Sequence, residues 1–150
     1  MADVFTRAKR SEIMSRVKGR GNLLTELRLI GLFREHGFIG WRRKARLFGN
    51  PDFVFPATRV AVFVDGCFWH GCPIHGGVPK TNRGFWGRKL TRNKQRDRLV
   101  NKTLKGMGWS PLRVWQHELQ QPENLVRRLE RHLDRRARST RNSEANHGGR

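Results

Sequence analysis

The longest uninterrupted apolar run in the chain is Val60-Ala61-Val62-Phe63-Val64. A run without polar alternation reads as a central strand buried on both faces, so other elements must cover it from two sides. Its neighbours are also β-rich. Asp52 to Phe55 precedes it across a short Pro56-Ala57-Thr58 link, which suits a hairpin, and the turn signal Gly49-Asn50-Pro51 precedes that. Pro111 to Trp115 reads as a third strand. The covering helices are also legible. Asn22 can cap a helix with apolar positions Leu23, Leu27, Ile30 and Phe33, ended by Gly37. Phe85 to Lys105 reads as a long polar helix with Trp86, Leu90, Val100 and Leu104 as its contacts, stopped by Gly106 and Gly108. Pro122 opens a last helix with Leu125, Val126, Leu129 and Leu133 on one face. The order predicts one compact α/β domain with a small mixed central sheet, its first two strands antiparallel.

The 150 residues suffice for one such domain. Residues 1–21 are basic and punctuated by glycine, and are expected to form an arm. Residues 22–134 are expected to hold the domain, including its C-terminal helix. Residues 135–150 are expected to be a basic, disordered tail.

Lys and Arg number 32 against 12 Asp and Glu, a formal net charge of +20. Such a surplus speaks to partners rather than to fold, and nucleic acid is the leading polyanion, ahead of an anionic membrane surface. No apolar run approaches the length of a membrane-spanning helix, and Met1 to Arg10 lacks a signal-peptide core, so a soluble cytoplasmic protein is expected.

The only cysteines, Cys67 and Cys72, share a short loop with His70 and His75. Close cysteines in a cytosolic chain suit a metal better than a disulfide. Cys67, Cys72 and His75 offer three zinc ligands, and the fourth is either His70 or a distant residue, of which His117 is the best placed. A zinc here would be structural, pinning a loop with few apolar side chains of its own. The plainer reading is two buried thiols with unrelated histidines.

Acidic residues in apolar surroundings stand out in so basic a chain. Asp52 opens one strand and Asp65 closes the next, where two carboxylates could hold magnesium against a phosphodiester. Each is equally an ordinary turn or capping residue. Glu26 reads first as a charge in an opening helical turn. Phe68, Trp69, Phe85 and Trp86 stand beside basic residues, where rings can wedge between base steps or pack inward.

The strings Asn50-Pro51-Asp52-Phe53, Phe63-Val64-Asp65-Gly66-Cys67-Phe68-Trp69-His70-Gly71-Cys72-Pro73 and Pro79-Lys80-Thr81-Asn82, with Phe85-Trp86, Arg96-Asp97, Gly108-Trp109 and Val114-Trp115, resemble the very short patch (Vsr) mismatch-repair endonucleases. The likeness runs from about Met14 to about Leu119. It implies a restriction-endonuclease-like fold and a magnesium-dependent nick in one strand of double-stranded DNA. The nick falls beside the thymine of a T:G mismatch left by deamination of 5-methylcytosine. Downstream mismatch-repair proteins and a DNA polymerase would complete the repair, and the enzyme is expected to act as a monomer. By position, Asp52 matches the metal-binding catalytic aspartate, with the Val64 backbone carbonyl as its companion. His70 matches the residue that activates water, and Glu26 the helix glutamate near the site. Cys67, Cys72, His75 and His117 match the zinc ligands, and Phe68, Trp69 and Trp86 the intercalating aromatics. Some Vsr-like chains carry a threonine–histidine pair where this one has Val64-Asp65, which leaves Asp65 to bind metal, to orient His70, or to do neither. Two other functions fit the same residues: a zinc-containing DNA-binding module without catalysis, and a nicking nuclease for another lesion.

Overall fold

The computed structural model describes residues 23–67 and 82–147. Its elements are α1 (Leu23–Glu35), β1 (Arg42–Arg43), β2 (Phe53–Phe55), β3 (Val60–Asp65), α2 (Arg83–Gly106), β4 (Ser110–Trp115), a 3-10 turn (Gln116–Gln120) and α3 (Pro122–His147). The four strands form one sheet in the order β1-β2-β3-β4. β1 and β2 are antiparallel, as are β2 and β3, while β4 runs parallel to β3 after the α2 crossover. The expected mixed α/β architecture is therefore present, with three helices around a four-stranded sheet among the described residues.

Every residue of β3 is buried, as its continuous apolar run requires. Val60, Val62 and Val64 join Phe53, Phe55, Leu112 and Val114 on one sheet face, against Leu29 and Phe33 of α1 and Leu125 and Leu129 of α3. Val54, Ala61 and Phe63 line the other face, against Val100 and Leu104 of α2. The sheet is a middle layer between α1 with α3 and α2. Phe33, with no exposed surface, is the hub of the larger cluster. Its ring lies 5.3 Å from that of Phe53, 5.6 Å from those of Phe55 and Trp41, and 5.7 Å from that of Phe38.

Helix ends follow glycine geometry. Gly37 is left-handed (φ 72°), and the Phe38 N–H returns to the Phe33 carbonyl at 2.9 Å. The same closure ends α2, where Gly108 is left-handed (φ 86°) and the Trp109 N–H bonds the Leu104 carbonyl at 2.9 Å.

Four details differ from what the sequence pattern shows. α1 buries Thr25, Glu26, Leu29, Ile30, Leu32 and Phe33, while Leu23 and Leu27 are exposed. Its inward face is rotated from the expected stripe, with Glu26 turned inward and paired with the partly exposed Arg43. The two-residue strand β1, Arg42–Arg43, is too short and too charged to show in an apolar pattern. Arg59 sits in a left-handed turn (φ 54°), and β3 starts at Val60 and continues one residue past the apolar run, to Asp65. The last helix does not stop at residue 134. It runs to His147, because no proline or glycine interrupts it before Gly148. Arg136 anchors the extension, donating from Nε to the Thr58 carbonyl at 3.1 Å and from Nη2 to the Gly108 carbonyl at 2.8 Å. The arm expected at 1–21 lies outside the described residues.

Candidate functional site

The β2–β3 hairpin positions Asp52. Its N–H bonds the Val62 carbonyl at 3.0 Å, which extends the ladder one residue beyond β2. β3 continues further, to Asp65, past the last paired residue of β2. There the Asp52 carboxylate takes over as acceptor, and its Oδ2 receives the Val64 N–H at 2.8 Å. Asp52 is thus held by backbone and side chain against the end of a buried strand, and is itself 8% exposed. In an extended strand a residue's N–H and C=O point to the same edge. The Val64 carbonyl therefore faces the edge that carries the Asp52 carboxylate.

Glu26 is also buried, and its Oε2 accepts from Arg43 Nη2 at 2.7 Å. Arg43 pairs in register with Phe53, the residue after Asp52. The ion pair therefore ties the start of α1 to the strand pairing beside Asp52.

Asp65 closes β3 with a side chain only 3% exposed, and Arg113 of β4 holds it at 3.1 Å. Two residues on, Cys67 Sγ lies 3.3 Å from His117 Nδ1. The parallel β3–β4 pairing brings these distant residues together, since Asp65 is in register with Trp115 and each chain leaves the sheet just beyond. His117 is carried by the 3-10 turn, whose Glu118 carboxylate receives the Trp115 N–H at 2.9 Å. Arg128 of α3 in turn pairs with Glu118 at 3.3 Å.

At the start of α2 the rings of Phe85 and Trp86 meet edge to face, with centroids 5.2 Å apart. Lys89 lies over the Trp86 ring at 5.6 Å, and Phe85 is 52% exposed. Among the described residues, then, Asp52 is placed beside Val64 and Cys67 beside His117. Phe68, Trp69, His70, Cys72 and His75 lie outside the described residues. Sequence reading missed two residues of this region, Arg43 and Arg113. Arg113 left a signal: a charge between Leu112 and Val114, on a strand beside an otherwise apolar neighbour that ends in Asp65, must find a partner.

Comparison with known proteins gives the chain a class. The family model described as DNA mismatch endonuclease Vsr matches residues 2–75. The Type II nicking enzyme V.XorIIP of Xanthomonas oryzae pv. oryzae (strain KACC10331 / KXO85) is 35% identical over 136 residues, covering 89% of this chain and 98% of that protein. The DNA mismatch endonuclease Vsr of Escherichia coli (strain K12) is 38% identical over 128 residues, or 84% of this chain and 81% of the relative. A more similar but shorter match is the Type II nicking enzyme V.NaeI of Lentzea aerocolonigenes. It is 60% identical over 69 residues, 46% of this chain and 42% of that enzyme's length. These relatives are DNA endonucleases. The chain belongs to the Vsr family.

Proposed function

We propose that this chain nicks one strand of duplex DNA beside the thymine of a T:G mismatch, in a magnesium-dependent hydrolysis that initiates very short patch repair. The observation that carries this reading is the Asp52 carboxylate, buried at the end of β3 and oriented by the Val64 N–H. The name of the Escherichia coli relative, a mismatch endonuclease, supports the substrate class.

The residues suit the cation. Magnesium takes hard oxygen ligands, commonly one or two carboxylates with water and phosphate. Asp52 and the Val64 carbonyl supply two oxygens on one strand edge. When bound there, the ion supplies Lewis acidity at the phosphodiester and lowers the pKa of a water. His70 serves as the base that takes the proton of the attacking water. Glu26, neutralised by Arg43, holds α1 against the strand pair beside Asp52.

The second metal suits the other end of the loop. Two donors sharing a tetrahedral zinc stand about 3.5 Å apart, given Zn–S and Zn–N bonds of about 2.3 and 2.0 Å. The 3.3 Å between Cys67 Sγ and His117 Nδ1 is close to that spacing. Cys72 and His75 complete the proposed set, which ties the loop after β3 to the turn after β4. Trp86, with Phe68 and Trp69, is the proposed wedge, and a mismatch is where unstacking costs least.

The test is a duplex labelled on each strand with one central T:G pair, compared with matched T:A and C:G duplexes, with magnesium and with chelator. The proposal expects a magnesium-dependent cut in the thymine strand of the T:G duplex alone. Equal cutting of all three duplexes would rule out the mismatch specificity, and tight binding without cutting would point to a binding module.

A further inference from the structure

The proposed chemistry uses the edge of β3 that faces β2. The opposite side of the same strand end is held by a partly buried polar cluster that this chemistry does not use. Its centre is Arg113, whose side chain is 17% exposed. Nη1 reaches both oxygens of Asp65, at 3.1 and 3.4 Å, and Oδ1 of Asp97 at 3.4 Å. Nε donates to Asn101 Oδ1 at 3.1 Å, and Nη2 to the Asp97 carbonyl at 3.5 Å. The guanidinium lies over the Phe63 ring, 4.1 Å from its centroid. At the outer edge of β4, the Arg113 carbonyl accepts from Arg128 of α3. One residue thus joins β3, β4 and α2 by its side chain and α3 by its backbone.

We propose that Arg113 is a positioning residue: it clamps the end of β3, through Asp65, to Asp97 and Asn101 of α2, and so sets where Asp52 and Val64 stand. That role rests on the function proposed above. Val64 is fixed from the β2 side by Asp52, and Asp65 from the α2 side by Arg113. Held on both sides, the strand end has one direction in which to leave the sheet, toward Cys67 two residues on. Fork geometry is needed, because a single-point cation cannot reach Asp65, Asp97 and Asn101 together. Asp65 is accordingly part of the clamp. Removing Arg113 takes the guanidinium away from a buried carboxylate, which favours a shift of the strand end that brings Asp65 nearer to water.

The experiment compares the full chain with Arg113→Met, Arg113→Lys, Asp65→Asn and the Asp65→Asn/Arg113→Met double variant. Three quantities are read: the single-turnover nicking rate, the affinity for uncleaved duplex without magnesium, and amide hydrogen exchange at Val64 and Asp65. For Arg113→Met the clamp predicts a nicking rate lower by about tenfold to 100-fold, with duplex affinity within about twofold. Exchange at the two amides should be at least about tenfold faster. Arg113→Lys should recover only part of either loss. The double variant should lose no more than Arg113→Met alone, because both act through one contact. A folded Arg113→Met chain with parental nicking and parental exchange would overturn the proposal. If that variant fails to fold, Asp97→Asn and Asn101→Ala remove only the α2 side of the clamp. Both should slow nicking and speed exchange, and parental values in both would likewise overturn it. Should the parent chain nick no duplex, the proposed function fails while the exchange data still decide the clamp.

Discussion

Phe33 shows what one residue contributes here. It has no exposed surface and touches four other aromatic rings, so truncation opens a cavity that neighbouring strands cannot close. Phe33→Ala should lower unfolding free energy by about 3–5 kcal/mol in chemical denaturation. A loss below about 1 kcal/mol would mean that the core has relaxed around it. Residue type marked Phe33 as core and Cys67 as a metal-ligand candidate, while His117 stood beside His70 as an alternative until the family resemblance chose between them. Glu26 and Asp65 carried no such mark. A carboxylate in sequence is the same whether it faces solvent, metal or arginine, and only the fold shows Arg43 and Arg113 beside them.

At the scale of elements, turn chemistry decides where α2 rests. Gly49 is left-handed (φ 81°), and a β-carbon there would overlap the Val100 side chain. Gly49→Ala should therefore combine backbone strain with overpacking, for about 2–4 kcal/mol of destabilisation in the same denaturation assay. A neutral result would show that α2 can slide away from the loop before Asp52. Strands and helix cores were legible because period and punctuation agree: the hairpin, the apolar β3 and the Leu125–Leu129 face of α3 all stand where pattern places them. What escaped was held by single polar contacts. β1 exists by pairing Arg42 and Arg43 with β2, and the C-terminal part of α3 is held by Arg136 reaching two turn carbonyls. Arg136→Ala should fray that end, raising amide exchange beyond residue 136 while leaving exchange in β3 unchanged.

The whole molecule is governed by its charge. At +20, affinity for duplex should fall steeply and linearly on a log–log plot against salt, as counterions are released from DNA. A flat profile would remove nucleic acid as the partner. Charge also shapes the pH response of folding. Half-burial, then Arg135, Arg136 and Arg128, lower the pKa of His132 below its ordinary 6.5, and Ser110 of β4 meets its Nε2 at 2.8 Å. The unfolded chain then binds a proton at higher pH than the folded one. This contribution to stability is complete above pH 6.5 and is lost as pH falls through the lowered native value. Melting temperature should drop on that acid side, and His132→Gln should flatten the drop; an unchanged slope would place the acid sensitivity elsewhere. The central claim, that Asp52 is the carboxylate of a hydrolytic centre, is tested most directly by Asp52→Asn. Asparagine keeps an oxygen to accept the Val64 N–H and removes the charge a cation needs. Single-turnover nicking of the T:G duplex should fall by roughly three orders of magnitude, with duplex affinity retained, since a catalytic cation is worth several kcal/mol. An Asp52→Asn chain that nicks as fast as its parent would contradict the account.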